Sequence, residues 1–279
     1  TNEIVTFIRK LNASVSLPKD QYSLNENNSG RKITKFLIHC LGRLVISSWN
    51  TGLFHLFANQ WYFTHTNSLQ KILDYSEINM EVIANYKCVT GEGPIWHSQE
   101  KKLYWLDIPS GFIFRYDPFT NKHEQIYKGP QIGGITIQSD GNLLLFMEKG
   151  AIAIWDGNEL NYVIETLEGE ETSRFNDVIA APNGSVFCGT MSTTENLGTL
   201  YRLDPDGSIQ PVITGIGISN GLGFTTDCEW MYYTDSTAHT IYKYRINPIN
   251  GELSERSVFI TTPINEGIPD GMTVDSENH

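Results

Sequence analysis

The chain has 279 residues, 40% of them hydrophobic and 19% charged, and a formal charge of −12. That is enough apolar material for one large core. The charge has the wrong sign for a general nucleic-acid binder, whose counterion release needs clustered Lys and Arg. No run of about 18 uncharged apolar residues occurs; the nearest stretch, 36–57, is broken by His39, Arg43 and Asn50. Neither a nucleic acid nor a membrane is therefore expected as partner. Cys40, Cys88, Cys188 and Cys228 show no CxxC pairing and no zinc-finger histidine, and read as buried thiols of a reducing compartment.

Residues 1–79 hold eight Lys/Arg against five Asp/Glu, whereas 80–279 hold twelve against twenty-seven. Such an asymmetry marks a boundary. The first part carries an amphipathic pattern at Ile4, Phe7, Ile8 and Leu11, an Asn-rich stretch over 25–30 and an apolar, aromatic block over 36–63. It lacks regular turn spacing. The chain begins with Thr1, and Met80 stands directly before the ordered pattern. The expectation is a non-propeller N-terminal extension over 1–79, disordered or helical and not necessarily native, followed by a separate domain over 80–279. With no signal peptide ahead of Met80, a cytoplasmic location is expected.

After Met80 the chain repeats. Five segments open on a small or polar pair and run into an apolar strand: Glu92-Gly93-Pro94, Gly133-Gly134-Ile135, Asn176-Asp177-Val178, Asn220-Gly221-Leu222 and Asp270-Gly271-Met272. Their starts are 41, 43, 44 and 50 residues apart. Periods near 40–50 with about four strands per unit indicate a β-propeller. Ser139-Asp140-Gly141-Asn142 and Pro182-Asn183-Gly184-Ser185 supply hairpin turns. Aromatic and β-branched runs such as Trp230-Met231-Tyr232-Tyr233-Thr234 supply strands. An all-β architecture is predicted.

In a propeller the first strand of each blade lines the central channel. Glu92, Gly133, Asn176, Asn220 and Asp270 hold the same place at the start of that strand, so they are predicted to converge at one mouth. Two carboxylates and two carboxamides offer hard oxygen donors, which suit Ca²⁺, Mg²⁺ or Mn²⁺ better than a dedicated zinc site. Asn-Gly and Asp-Gly pairs also make ordinary turns; it is their shared register that points to a site. Gly133 and Gly134, without side chains, are expected to leave room beside the ion.

The strings Gly91-Glu92-Gly93-Pro94-Ile95-Trp96, Arg174-Phe175-Asn176-Asp177, Gly189-Thr190-Met191, Ile218-Ser219-Asn220-Gly221-Leu222 and Ile268-Pro269-Asp270-Gly271-Met272 occur in this order. Together they resemble the senescence marker protein/gluconolactonase/luciferin-regenerating enzyme family, which includes regucalcin, over about 200 residues. The resemblance implies a six-bladed β-propeller, mostly of lactonases, with one divalent cation on the axis. It implies Glu92, Asn220 and Asp270 as metal ligands, Arg174 and Asn176 as substrate-binding residues and Asp270 as the catalytic base. Ca²⁺ is the first expectation for the ion, with Mg²⁺, Mn²⁺ and Zn²⁺ as alternatives; a sugar lactone is the expected substrate. Thr194 stands where some members carry a substrate-facing Glu, and Glu195 follows it.

Six blades at about 45 residues need roughly 270 residues from the first strand. Only about four blades and the start of a fifth are therefore expected, with weak activity for so incomplete a ring. A segment over 82–88 is expected to pair with the last blade of a closed ring. Two other readings use the same residues: an esterase or phosphotriesterase-like hydrolase on the axial ion, and a calcium-binding propeller without significant catalysis. The pair Arg174 and Asn176 favours an enzyme, since a mere cation binder needs neither. Gly217-Ile218-Ser219-Asn220-Gly221 spells a nucleophile elbow, but a strand and not a helix is predicted after it. The acidic run 165–171 reads as a solvated loop leading into Arg174, a lip of the channel.

Overall fold

A computed structural model describes residues 82–278. The readings made for 1–79, and Cys40 with them, lie outside the described residues. From Gly91 the chain forms sixteen strands in four successive antiparallel sheets of four. Blade one is β1 (Gly91–His97), β2 (Lys102–Asp107), β3 (Phe112–Asp117) and β4 (Lys122–Lys128). Blade two is β5 (Ile132–Ile137), β6 (Leu143–Met147), β7 (Ile152–Trp155) and β8 (Leu160–Ile164). Blade three is β9 (Phe175–Ala180), β10 (Val186–Thr190), β11 (Gly198–Leu203) and β12 (Ile209–Ile216). Blade four is β13 (Ser219–Phe224), β14 (Trp230–Asp235), β15 (Thr240–Ile246) and β16 (Leu253–Thr261). Each blade is a meander, so the predicted propeller repeat is present.

Period-2 alternation on the middle strands builds the core between blades. Tyr104 and Leu106 of β2 meet Leu145 and Met147 of β6. The intervening Leu144 and Phe146 turn the other way, onto Phe175, Val186 and Cys188 of blade three. Phe187 of β10 faces Leu222, Met231 and Tyr233 of blade four. The second strand of each blade is thus buried on both faces, while the outermost strands, such as β4 and β8, are largely exposed. Asx turns at Asp140, Asn183 and Asp206 close the hairpins far from the channel mouth, each accepting a backbone N–H two residues on.

Two segments singled out in the sequence lie outside the ladders of these four sheets. Residues 82–88 form no strand and lie against blade one, where Ala84 and Cys88 pack on Trp105 and Phe114. Tyr86 stacks on Phe114 at 4.2 Å and its hydroxyl meets His123 Nδ1 at 2.8 Å. The start of the fifth blade is in place without a regular strand ladder, and its backbone runs directly against β13. A Cβ at Gly221 would overlap the carbonyl of Asp270 and the N–H of Met272. Cys88 and Cys188 are buried as expected, whereas Cys228 sits partly exposed in the β13–β14 turn with φ 57°.

Candidate functional site

Glu92, Gly133, Asn176 and Asn220 are each the second residue of their blade's first strand. Every one of these strands carries a one-residue irregularity at that point. The register slips between Glu92 and Ile95, Ile132 and Gly134, Phe175 and Val178, and Asn220 and Leu222. A bulge breaks strict in–out alternation and re-aims side chains. Repeated four times at one level, it turns adjacent residues toward the same mouth.

A continuous hydrogen-bonded chain crosses that mouth. Arg174 Nη1 donates to Asn176 Oδ1 and to the Phe175 carbonyl, both at 2.8 Å. Asn176 Nδ2 in turn donates to Asn220 Oδ1 and to the Ser219 carbonyl, also at 2.8 Å. Asn220 Nδ2 donates to Ser236 Oγ at 2.8 Å, and that hydroxyl donates to the Pro269 carbonyl at 2.6 Å. The chain therefore runs from Arg174 to the residue before Asp270. Asn176 and Asn220 are both 5% exposed. Both amide hydrogens of Asn176 are used, while its Oδ1 accepts from Arg174 and keeps one lone pair; the side chain joins the guanidinium on one side to the Asn220 carboxamide on the other. Asn220 Oδ1 keeps one lone pair.

Electrostatics sharpen the picture. Burial pushes the Glu92 carboxyl up to about 8, helped by the nearby Asp177 and Asp270 carboxylates and opposed by Arg174. Asp177 is raised to about 7, again chiefly by burial and then by Asp270, with Arg174 opposing. Asp270 is raised by burial while the Gly271 N–H favours its anion. Three carboxylates thus share one partly buried mouth with a single guanidinium. Asp177 is the residue that sequence reasoning missed. Alternation would send it opposite Asn176, but the bulge brings it in, and Asp177 Oδ2 lies 3.8 Å from where a Gly271 Cβ would stand.

Donor chemistry fits a hard divalent cation: carboxylates, one carboxamide oxygen, an excess of negative charge and no sulfur or imidazole. Among the described residues no group of three or more His, Cys, Asp or Glu is drawn together tightly enough to hold a metal ion; the set Glu92, Asn220 and Asp270 reaches three only through its carboxamide. The expectation for Gly133 and Gly134 is corrected. The space beside Gly133 is filled by the Phe175 backbone and that beside Gly134 by Val178 and the Asn176 carbonyl. They let β5 and β9 approach backbone to backbone instead of leaving a void for an ion. Ser219 is no nucleophile elbow either: it is fully buried within β13, and its Oγ accepts from the Tyr233 hydroxyl at 2.9 Å. Glu195 is exposed at the tip of the β10–β11 loop.

Fold and site together define a β-propeller with an axial polar site built from the starts of its inner strands. The chain belongs to the SMP-30/Gluconolactonase/LRE-like family, whose model matches residues 90–279. It is 46% identical over 200 residues to the pentonolactonase XacC of Haloferax volcanii, covering 71% of this chain and 67% of that protein. It is 30% identical to regucalcin of Xenopus laevis, covering 72% and 70%. Among solved structures it resembles the calcium-binding protein regucalcin of Agrobacterium tumefaciens, with a TM-score of 0.64 at 20% identity, over 68% of this chain and 66% of that one. The chain spans about two thirds of the length of these relatives. No helix of the described residues is long and apolar enough to cross a membrane.

Proposed function

We propose that this chain carries the catalytic face of a metal-dependent sugar lactonase. The lactonase class is supported by the 46% identity to a pentonolactonase. The observation that carries the site assignment is the hydrogen-bonded chain from Arg174 to Pro269, which gathers Arg174, Asn220 and the Asp270 segment at one mouth beside Glu92. Glu92, Asn220 and Asp270 would hold one divalent cation, Ca²⁺ by preference, since carboxylate and carboxamide oxygens are its usual donors. When bound, such an ion supplies Lewis-acid polarisation of the lactone carbonyl.

The chain's own residues do the rest. Arg174 offers N–H donors beyond the two it spends on Asn176 and Phe175, and these hold the ring hydroxyls of a polar substrate. An Asp270 carboxylate oxygen takes the proton of the attacking water as the new C–O bond forms. The ester C–O bond of the ring then breaks as the proton held by Asp270 passes to the departing ring oxygen, which becomes a hydroxyl, and the carboxylic acid so formed loses its proton to water as an aldonate. Asn176 keeps Arg174 and Asn220 in fixed orientation throughout. The substrate reading is a five- or six-carbon aldonolactone, and the setting a cytoplasmic one.

Hydrolysis of a pentono-lactone and of glucono-δ-lactone, measured after EDTA treatment and after return of Ca²⁺, Mg²⁺, Mn²⁺ or Zn²⁺, tests this directly. Asp270→Asn should lower kcat by about 10²–10⁴-fold, the usual worth of a general base. Turnover that is indifferent to EDTA, or an Asp270→Asn enzyme at the unsubstituted rate, would sink the reading.

A further inference from the structure

The acidic run 165–171 differs from its expected solvated state at one residue. Glu170 is 5% exposed. Its Oε1 accepts two hydrogen bonds from blade three: from Thr190 Oγ1 of β10 at 3.0 Å and from the Tyr201 hydroxyl of β11 at 2.9 Å. Thr190 Oγ1 also accepts the Thr199 N–H at 2.9 Å, so the contact ties the loop to two strands at once. A buried carboxylate with two hydroxyl donors is a strong anchor, because charge-assisted hydrogen bonds are about twice as strong as neutral ones.

What it anchors is the segment that ends in Arg174. The Glu170 N–H donates to the Leu167 carbonyl at 3.0 Å, and the Ser173 N–H donates to the Glu170 carbonyl at 3.0 Å. Leu167 N–H donates to the Lys149 carbonyl at 3.0 Å and Lys149 N–H to the Ser173 carbonyl at 2.8 Å, which pins the loop to blade two. The Ser173 hydroxyl and the Met191 N–H close it against the end of β10. Most of these bonds are between backbone groups; the long-range side-chain bonds are that of the Ser173 hydroxyl to the Met191 carbonyl, 18 residues away, and the two accepted by Glu170, whose partners lie 20 and 31 residues away.

We propose that Glu170 is a positioning residue for substrate binding: its buried carboxylate clamps the lip of the channel onto blade three and so sets where the Arg174 guanidinium stands. This rests on the lactonase reading given above, in which Arg174 holds the substrate. A guanidinium held by a loose loop binds ground state and transition state less well alike, so the effect falls on KM and spares kcat. It also spares the cation, whose proposed ligands sit on β1, β13 and the Asp270 segment.

The test uses the full chain with Ca²⁺ present. Glu170→Ala should raise KM for the lactone about tenfold, the factor that matches one lost charge-assisted hydrogen bond, with kcat and calorimetric Ca²⁺ affinity within about twofold. Glu170→Gln keeps an acceptor at Oε1 and should restore KM to near the original value. Tyr201→Phe removes one donor only and should raise KM by a smaller factor; with Glu170→Gln it decides the matter if Glu170→Ala does not fold. Amide hydrogen exchange gives a readout independent of activity: Leu167, Glu170 and Ser173 should exchange faster in Glu170→Ala. If the unsubstituted chain opens no lactone, the function proposal fails while the exchange comparison still decides the clamp. Unchanged KM and unchanged exchange in Glu170→Ala, or a Glu170→Gln enzyme as impaired as the alanine variant, would overturn the positioning role.

Discussion

Arg174 is held by two acceptors from its own strand start, the Phe175 carbonyl and Asn176 Oδ1. Those contacts fix the plane of the guanidinium and leave its remaining N–H groups directed by that plane. Arg174→Ala should therefore raise KM for a sugar lactone at least about tenfold while Ca²⁺ affinity, measured by calorimetry, stays within about twofold. Arg174→Lys should rescue little, because a point charge on a flexible stem cannot reproduce the planar fork. A large loss of Ca²⁺ affinity in either variant would contradict the division of roles. At this scale the sequence was informative where register sufficed. Glu92, Asn176 and Asn220 share a strand position that spacing alone reveals. Asp177 and Glu170 were not legible: the first owes its direction to a bulge, the second to partners far along the chain.

Strand starts, turns and blade boundaries were readable because each blade buries alternate residues on two faces and closes on Asx turns. Glycines on the inner strands were misread, since the partner that fills the space beside them is a neighbouring backbone. Gly133 meets Phe175, and in the same way Gly221 meets Asp270 and Met272. This close approach, with the Ser236 hydroxyl on the Pro269 carbonyl, is what holds the Asp270 segment without a ladder of its own. Gly221→Ala should push that segment off β13, lowering stability by about 1–3 kcal/mol as overpacking does and weakening Ca²⁺ binding sharply. Gly157, with nothing within 4 Å of its notional Cβ and φ +99°, is the control: Gly157→Ala strains only its own turn and should leave Ca²⁺ affinity unchanged. Thermal unfolding and calorimetry on the pair separate the two cases.

Neighbouring inner strands touch in series around the axis, β1 with β5, β5 with β9 and β9 with β13, and β13 with the Asp270 segment. The proposed ligands stand at the two ends of that series, Glu92 on the first strand and Asp270 on the last segment, with Asn220 beside the latter. Glu92 and Asp270 repel: after burial, the Asp177 and Asp270 carboxylates raise the proton affinity of Glu92, and the single Arg174 offsets only part of this. A divalent cation held between them would cancel the repulsion and link β1 to the Asp270 segment through one centre, a connection that no hydrogen-bond ladder among the described residues supplies. Ligation across the series must then appear as global stability. At a Ca²⁺ concentration about a hundredfold above Kd, the folded state should gain about 2.7 kcal/mol. For a unit of this size that is about 5–10 °C in Tm. EDTA should reverse the rise, and Asp270→Ala should abolish it while leaving the metal-free Tm nearly unaltered, because the lost carboxylate was a source of repulsion. If Ca²⁺, Mg²⁺ and Mn²⁺ all leave Tm where it was, no ion joins β1 to the Asp270 segment, and Glu92 must be reassigned.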